Sequence, residues 1–336
     1  MNRNTAREIG PVAHGSSDDP ELLDFSANTN PRTPPGVAEV YEDALDAARS
    51  YQSEPPTQYQ EIASEYVGCD SGDVIPTPGG LAAIRLATTL AVDPGDRALL
   101  PAPSFGEYAR EVRLQGGTPE FVAPGEIVDA DPEGYALAVV CNPNNPTGEA
   151  LDHDELVAFA RQCRAVDTLL LVDEAFLGYT DRPSMAGTEG VVVARALTKL
   201  FGLPGIRAGF AVATGELGQA TRNARRPWNV GAPALAVGAY CMRQKEFVRE
   251  TRELIERERA RMSATLDERF EVRASEGPFL LLNLGERDVG AFVATVRRRG
   301  VAIRDAITFR GLDSHVRVAV REPDENDQLL EVLTDV

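Results

Sequence analysis

The chain has 336 residues, 43% of them hydrophobic, and a net charge of −18. That length supports two domains, or one large α/β domain with a smaller lobe, and the apolar content supports a real core. The acidity argues against nucleic acid as a partner, no apolar run is long enough to span a membrane, and the N-terminus lacks the apolar stretch of a signal peptide, so a cytoplasmic protein is expected. Of the 34 basic residues only Lys199 and Lys245 are lysines, and the acidity reads as a solvated surface suited to high salt, hence a halophilic source. The four cysteines form no CxxC pair and the three histidines have no metal-ligand spacing, so no metal site is expected.

Residues 1–35 read as irregular. They include His14-Gly15 and then Asp24-Phe-Ser-Ala-Asn-Thr-Asn-Pro31, a strand end entering an Asn/Pro turn, with Asn28 inside it. Apolar residues at helical spacing predict a helix over Val37 to Arg49 and another over Tyr59 to Val67, with Tyr51 between them. In Ile75-Pro-Thr-Pro-Gly-Gly-Leu-Ala-Ala-Ile84, Gly79 and Gly80 open an Ala-rich helix that continues through Leu81. Such a helix start favours an anion, because amides and the helix dipole point at it and glycine lets it come close. Arg97 begins a strand that runs into a Pro-rich turn carrying Phe105.

Tyr135 to Cys141 predicts a buried strand ending in the sharp loop Asn142-Pro-Asn-Asn-Pro-Thr-Gly148. Leu151 to Val166 predicts a helix with Asp152 as N-cap. Thr168-Leu-Leu-Leu-Val-Asp-Glu174 is an apolar strand closed by two carboxylates; a carboxylate at a buried strand end requires a cation. Val191 to Arg195 is the next strand, and the loop after it holds Lys199 and, eight residues on, Arg207. A lone lysine in an arginine-rich chain suggests need of its amine, since arginine replaces it as a cation but cannot form a Schiff base. Pro233 to Glu268 reads as one long helical region, followed by a lobe with strands at Phe279–Leu284, Val301–Arg304 and His315–Val320 and helices at Asp288–Arg299 and Pro323–Leu333. Strands alternating with helices predict a mostly parallel sheet, with ligands at the strand ends.

Thr198-Lys-x-x-Gly-x-x-Gly-x-Arg-x-Gly209, with Asn142-Pro-x-Asn-Pro-Thr-Gly148 and Asp173 before it, resembles the signature of the pyridoxal-phosphate (PLP) enzymes of the aspartate-aminotransferase fold, class I and II. The resemblance covers about Asp24 to Arg321. It implies an α/β fold: a mostly parallel central sheet flanked by helices forms the large PLP-binding domain, 46–230, and a smaller α+β lobe combines 1–45 with 231–336. It implies that Lys199 binds PLP covalently and that Gly79, Gly80, Leu81 and Arg207 take its phosphate. Phe105 would stack on the ring, Asn145 would donate to its 3′ oxygen, and Asp173 would keep its nitrogen protonated. Tyr51 would reach a partner's cofactor in a homodimer.

Asp24–Pro31 and Val301–Arg321 are similar to the threonine-phosphate decarboxylases of cobalamin synthesis, close relatives of the histidinol-phosphate aminotransferases. By that likeness Asn28, Arg304 and Arg317 bind a small phosphorylated amino-acid substrate, with Arg317 on its carboxylate. Four residues depart from the wider family: Phe176 stands where a tyrosine is usual, Leu81 and Ala82 where a hydroxyl or acidic residue is, and Ala196 where a serine is. The expected reaction is decarboxylation of L-threonine O-3-phosphate to (R)-1-aminopropan-2-yl phosphate. The alternatives are amino-group transfer to 2-oxoglutarate of the histidinol-phosphate type and, more remotely, a non-catalytic PLP-binding regulatory protein.

Overall fold

The apolar runs Leu137–Cys141, Leu169–Asp173 and Val191–Ala196 fold into strands that bury nearly every residue. The computed structural model describes residues 1–2 and 5–336. In chain order the strands are β1 (Leu23–Asp24), β2 (Val74–Thr77), β3 (Arg97–Pro101), β4 (Thr118–Val122), β5 (Leu137–Cys141), β6 (Leu169–Asp173), β7 (Val191–Ala196), β8 (Gly209–Val212), β9 (Glu271–Val272), β10 (Phe279–Asn283), β11 (Val301–Ala302), β12 (Arg304–Asp305) and β13 (His315–Ala319). β2 to β8 form one sheet in the order β2-β8-β7-β6-β5-β3-β4. Its pairings are parallel except those of β8, which runs against both neighbours.

Alternate residues of the central strands face opposite sides, as the strand period of two requires. Val140, Val172 and Val193 enter the core on one face, and Val139, Leu171 and Val192 the core on the other. Helices cover both faces, which is why these strands read as unbroken apolar runs rather than alternating ones. The crossover from β5 to β6 is the helix His153–Ala165, capped by Asp152 in a reciprocal capping box with Glu155.

A second, antiparallel sheet has the order β12-β13-β10-β9. The N-terminal segment joins this lobe: β1 pairs parallel with β11 in a separate two-stranded sheet, and the Ala319 amide of β13 donates to the Phe25 carbonyl at 2.9 Å.

Three details differ from the sequence-based expectation. The long helical region divides into Ala232–Met242 and Lys245–Leu266, because Gln244 takes a non-helical ψ of 63°. The strand expected over Val301–Arg304 splits: its first half pairs with β1, while Arg304 turns to pair with β13. The N-terminal stretch read as irregular contains a short helix, Thr5–Glu8, besides β1. Among the described residues, no helix is long and apolar enough to cross a membrane.

Candidate active site

The strand ends of the large sheet and one edge of the small sheet enclose a cavity of about 230 Å³. Asn28, Phe105, Asn145, Asp173, Lys199, Arg304 and Arg317 all line it. The parallel strands deliver three of them. β6 ends at Asp173, the loop after β5 carries Asn145, and Lys199 lies in the short turn of helix that follows β7.

Lys199 is held by its backbone. Its carbonyl accepts from the Tyr179 hydroxyl at 2.8 Å and from the Asn30 amide at 3.0 Å. Burial, helped by Arg317 and Arg207, pushes its amine down to about 8, while Asp173 opposes the shift. A substantial share of the amine is therefore neutral near pH 8, the form that acts as nucleophile and base.

Asp173 is buried, and burial pushes its carboxyl above the usual range. Two donors oppose this: the Tyr108 hydroxyl at 2.6 Å and the Ala175 amide at 3.0 Å. The neighbouring Glu174 faces away from the cavity. It receives Ser184 at 2.6 Å and the Met185 amide at 2.7 Å, and pairs with Arg195 at 3.0 Å.

The Asn-rich loop divides its labour. Asn142 accepts from the Leu151 amide, and Asn144 ties Pro103, Ser104 and Thr147 together. Only Asn145 reaches the cavity, where its oxygen accepts from Arg317. Phe105 sits edge-on to Tyr108, with ring centroids 5.5 Å apart, and 5.8 Å from His14.

On the small-sheet side, Arg304 and Arg317 occupy directly opposed positions of β12 and β13, and both are buried. Arg317 donates to the Ser26 carbonyl at 2.8 Å, and Arg304 to the carbonyls of Ala13 and His14 at 2.8 and 2.9 Å. Neither meets a carboxylate among the described residues. Burial first, then Arg304, pushes Arg317 down to about 9. Both Nε atoms, and both polar atoms of the Asn28 side chain, are buried without a partner. Such groups cost roughly 1–3 kcal/mol each unless a ligand meets them. By contrast, Arg321 is occupied by Glu325, and the exposed Arg310 lies over Phe121 at 4.3 Å.

Gly79, Gly80, Leu81 and Arg207 form a second feature, linked to the first through Ala196 and through the field of Arg207 on Lys199. Gly79 precedes the twelve-residue helix Gly80–Ala91, and Leu81 supplies its second residue. A Cβ on Gly79 would come within 2.7 Å of the Arg207 guanidinium, and one on Gly80 within 3.1 Å of the Ala196 methyl. The guanidinium is thus drawn close over a helix start with bare backbone, a fit for a phosphate group. Tyr51 stands apart from the cavity, 85% exposed, its ring 4.8 Å from that of Trp228.

Tyr108 is the member of the site that sequence reasoning missed. Its spacing within the helix Glu107–Gln115 is that of an ordinary core position, and only its place three residues after Phe105 could have flagged it.

Residues 20–333 match the family model "Aminotransferase class I and II". The chain is 31% identical over 331 residues to histidinol-phosphate aminotransferase 1 of Archaeoglobus fulgidus, covering 94% of this chain and 99% of the relative. It is also 31% identical over 331 residues to the "Putative threonine-phosphate decarboxylase" of Caldanaerobacter subterraneus, covering 91% and 88%. The fold is similar to the solved structure of L-threonine-O-3-phosphate decarboxylase from Porphyromonas gingivalis, with a TM-score of 0.84 at 23% identity, covering 94% of this chain and 99% of that one. The glycine and arginine cradle, the buried carboxylate and the depressed lysine fit the family's cofactor, pyridoxal 5′-phosphate. The chain belongs to the class I and II aminotransferase family and is a PLP-dependent enzyme, either a lyase or an aminotransferase.

Proposed function

We propose that the enzyme decarboxylates L-threonine O-3-phosphate to (R)-1-aminopropan-2-yl phosphate, a reaction of cobalamin synthesis. The observation that carries this reading is the opposed pair of buried arginines, Arg304 and Arg317, with no carboxylate between them. Directly opposed residues of an antiparallel pair have Cβ atoms roughly 4.5–5.5 Å apart. Two guanidiniums from such positions suit a short substrate whose carboxylate and phosphate sit on adjacent carbons. In an acidic protein, a cavity lined by Lys199, Arg304 and Arg317 against one carboxylate also concentrates anions.

In this reading Lys199 would hold PLP through its amine, with Gly79, Gly80, Leu81 and Arg207 on the phosphate. Phe105 would cover the ring face, Asn145 would meet the ring oxygen, and Asp173 the ring nitrogen. When bound, PLP supplies a sink for the electron pair left at Cα. Arg317 and Arg304 fix the two anions and so set which Cα bond stands perpendicular to the ring. Asn28 orients the substrate from the N-terminal segment. After carbon dioxide leaves, Lys199, as its ammonium, would donate the proton that takes the place of the carboxylate on Cα. Phe176 places no hydroxyl in the cavity; its ring packs edge-on against Phe279 at 5.2 Å.

The relative from Archaeoglobus fulgidus favours a second reading, a histidinol-phosphate-type aminotransferase, in which Lys199 removes a proton from Cα and the amino group passes to 2-oxoglutarate. The two separate on PLP-loaded protein in high salt. Carbon dioxide released from threonine phosphate without a keto acid supports the decarboxylase. Glutamate formed only when histidinol phosphate and 2-oxoglutarate are supplied together overturns it.

The same proposal includes a cofactor domain at 46–230, a smaller domain of 1–45 with 231–336, a cytoplasmic setting, a halophilic source and a homodimer. The exposed Tyr51–Trp228 pair supports the dimer as the surface offered to a second copy. Sedimentation in molar and in low salt tests the dimer, and thermal unfolding in the same two salts tests halophily. A monomer in both removes the first, and equal stability in both removes the second.

A further inference from the structure

The Tyr108 hydroxyl is spent on a single purpose that the reaction scheme leaves open. Its side chain is 2% exposed and lines the cavity. It is set in the first turn of Glu107–Gln115, and its hydroxyl donates to Asp173 Oδ2 at 2.6 Å. The Ala175 amide takes the other oxygen. The two donors approach from separate elements, one on each oxygen, so they fix the plane of the carboxylate as well as its charge. A short bond from a neutral donor to a carboxylate is stronger than one between neutral groups, and burial sharpens it.

We infer that Tyr108 is the positioning residue for Asp173, holding that carboxylate ionised and correctly turned for the pyridine nitrogen of the cofactor. The inference rests on the assignment of Asp173 to that nitrogen.

The other groups facing Asp173 do not replace Tyr108. The Cys141 thiol, at the end of β5, lies beside the same hydroxyl, and burial holds it protonated. Lys199 favours the ionised carboxylate by its charge, but that help is lost when the amine is neutral. Glu174 opposes ionisation and is itself matched by Arg195. The edge-on contact with Phe105 gives Tyr108 a second hold on the site, since the ring proposed to cover the cofactor leans on the ring that fixes its aspartate.

The test uses pyridoxine 5′-phosphate, which has the ring and phosphate but no aldehyde, so Lys199 does not react with it. Its dissociation constant is measured by calorimetry from pH 5 to 9 for wild type, Tyr108→Phe and Asp173→Asn. Removing the donor raises the proton affinity of Asp173, so the acid limb of binding in Tyr108→Phe should move up by about one pH unit, a tenfold change in the protonation equilibrium. Asp173→Asn should weaken binding and abolish that limb.

If Asp173→Asn abolishes the limb while Tyr108→Phe superimposes on wild type, the role of Tyr108 is overturned and that of Asp173 stands. Should Asp173→Asn leave the limb in place, the assignment of Asp173 fails, and the inference with it. Incorporation of 3-fluorotyrosine at position 108, a nearly isosteric and stronger donor, guards against a variant that does not fold. It should move the limb downward, opposite to Tyr108→Phe, and an unmoved limb counts against the proposal.

Discussion

The two walls of the cavity are built on opposite principles. On the large-sheet wall the buried polar groups satisfy one another: Asp173 with Tyr108 and Ala175, Glu174 with Arg195, Ser184 and Met185, Asn144 with three neighbours. On the small-sheet wall Asn28, Arg304 and Arg317 keep buried atoms with nothing to bind. The first wall meets its buried carboxylates from within the protein, Arg195 Nε lying 3.0 Å from Glu174 as an ion pair. The second leaves buried polar atoms unmet, a stability cost that the proposed substrate would relieve.

The largest expected effect tests the closed wall. Arg195→Met leaves Glu174 as an uncompensated buried charge and should destabilise the fold by about 3–5 kcal/mol in denaturant titration. The matching change on the open wall should do the reverse. Arg317→Met removes a buried cation that has no carboxylate, so stability without ligand should hold or rise, while kcat/KM falls by the equivalent of about 2–5 kcal/mol. If both variants lose stability alike, the contrast between the walls is wrong.

Lys199 stands between the walls and gives a pH signature. Its amine titrates near 8 in the fold against 10.5 unburied. Below pH 8 the amine is protonated in both states and the burial cost is full; above 10.5 it is neutral in both and the cost is gone. Apo-enzyme stability should therefore gain from this group as pH rises through that window, by about 3 kcal/mol at most, and Lys199→Met should remove the slope. Somewhat smaller is the effect of a ligand. Threonine phosphate at a hundred times its dissociation constant should stabilise wild type by about 2.7 kcal/mol, and Arg304→Met should shrink that gain in a thermal-shift series at fixed ligand. The smallest effect is expected from Phe176→Tyr. A new neutral hydroxyl beside the cavity is worth about 1 kcal/mol, which should change the ratio of carbon dioxide to keto product by a few-fold without unfolding the protein.

The closed wall was the more legible in the sequence. Asp173, Asn145 and Lys199 follow strands that read as unbroken apolar runs, and strand ends in a parallel sheet are where ligands sit. Within Asn142-Pro-Asn-Asn145 the resemblance singled out Asn145, but the bracing contacts of Asn142 and Asn144 were not readable, because they depend on how the turn packs against distant residues. Tyr108 was hidden by its own helix, whose periodicity gives a core aromatic and a carboxylate partner the same appearance. On the open wall the arginines were visible as residues, but their surroundings were not. Arg304 meets the His14 carbonyl across 290 positions of chain. No local pattern encodes such a contact, and the split of the expected Val301–Arg304 strand follows from the same long-range pairing with β1.

That pairing has a consequence for how the protein could be altered. Because β1 adds alongside β11, and Arg317 and Arg304 hold the backbone of residues 13–26, residues 13–26 and 301–317 form one surface, which under the proposed function is the recognition surface, while the residues between them supply the proposed chemistry. Exchanging only one end with a relative of different substrate would mismatch a parallel strand pair and three carbonyl contacts. Transplanting both segments together keeps those contacts intact, so under the proposed function selectivity should behave as a two-part cassette, exchanged jointly.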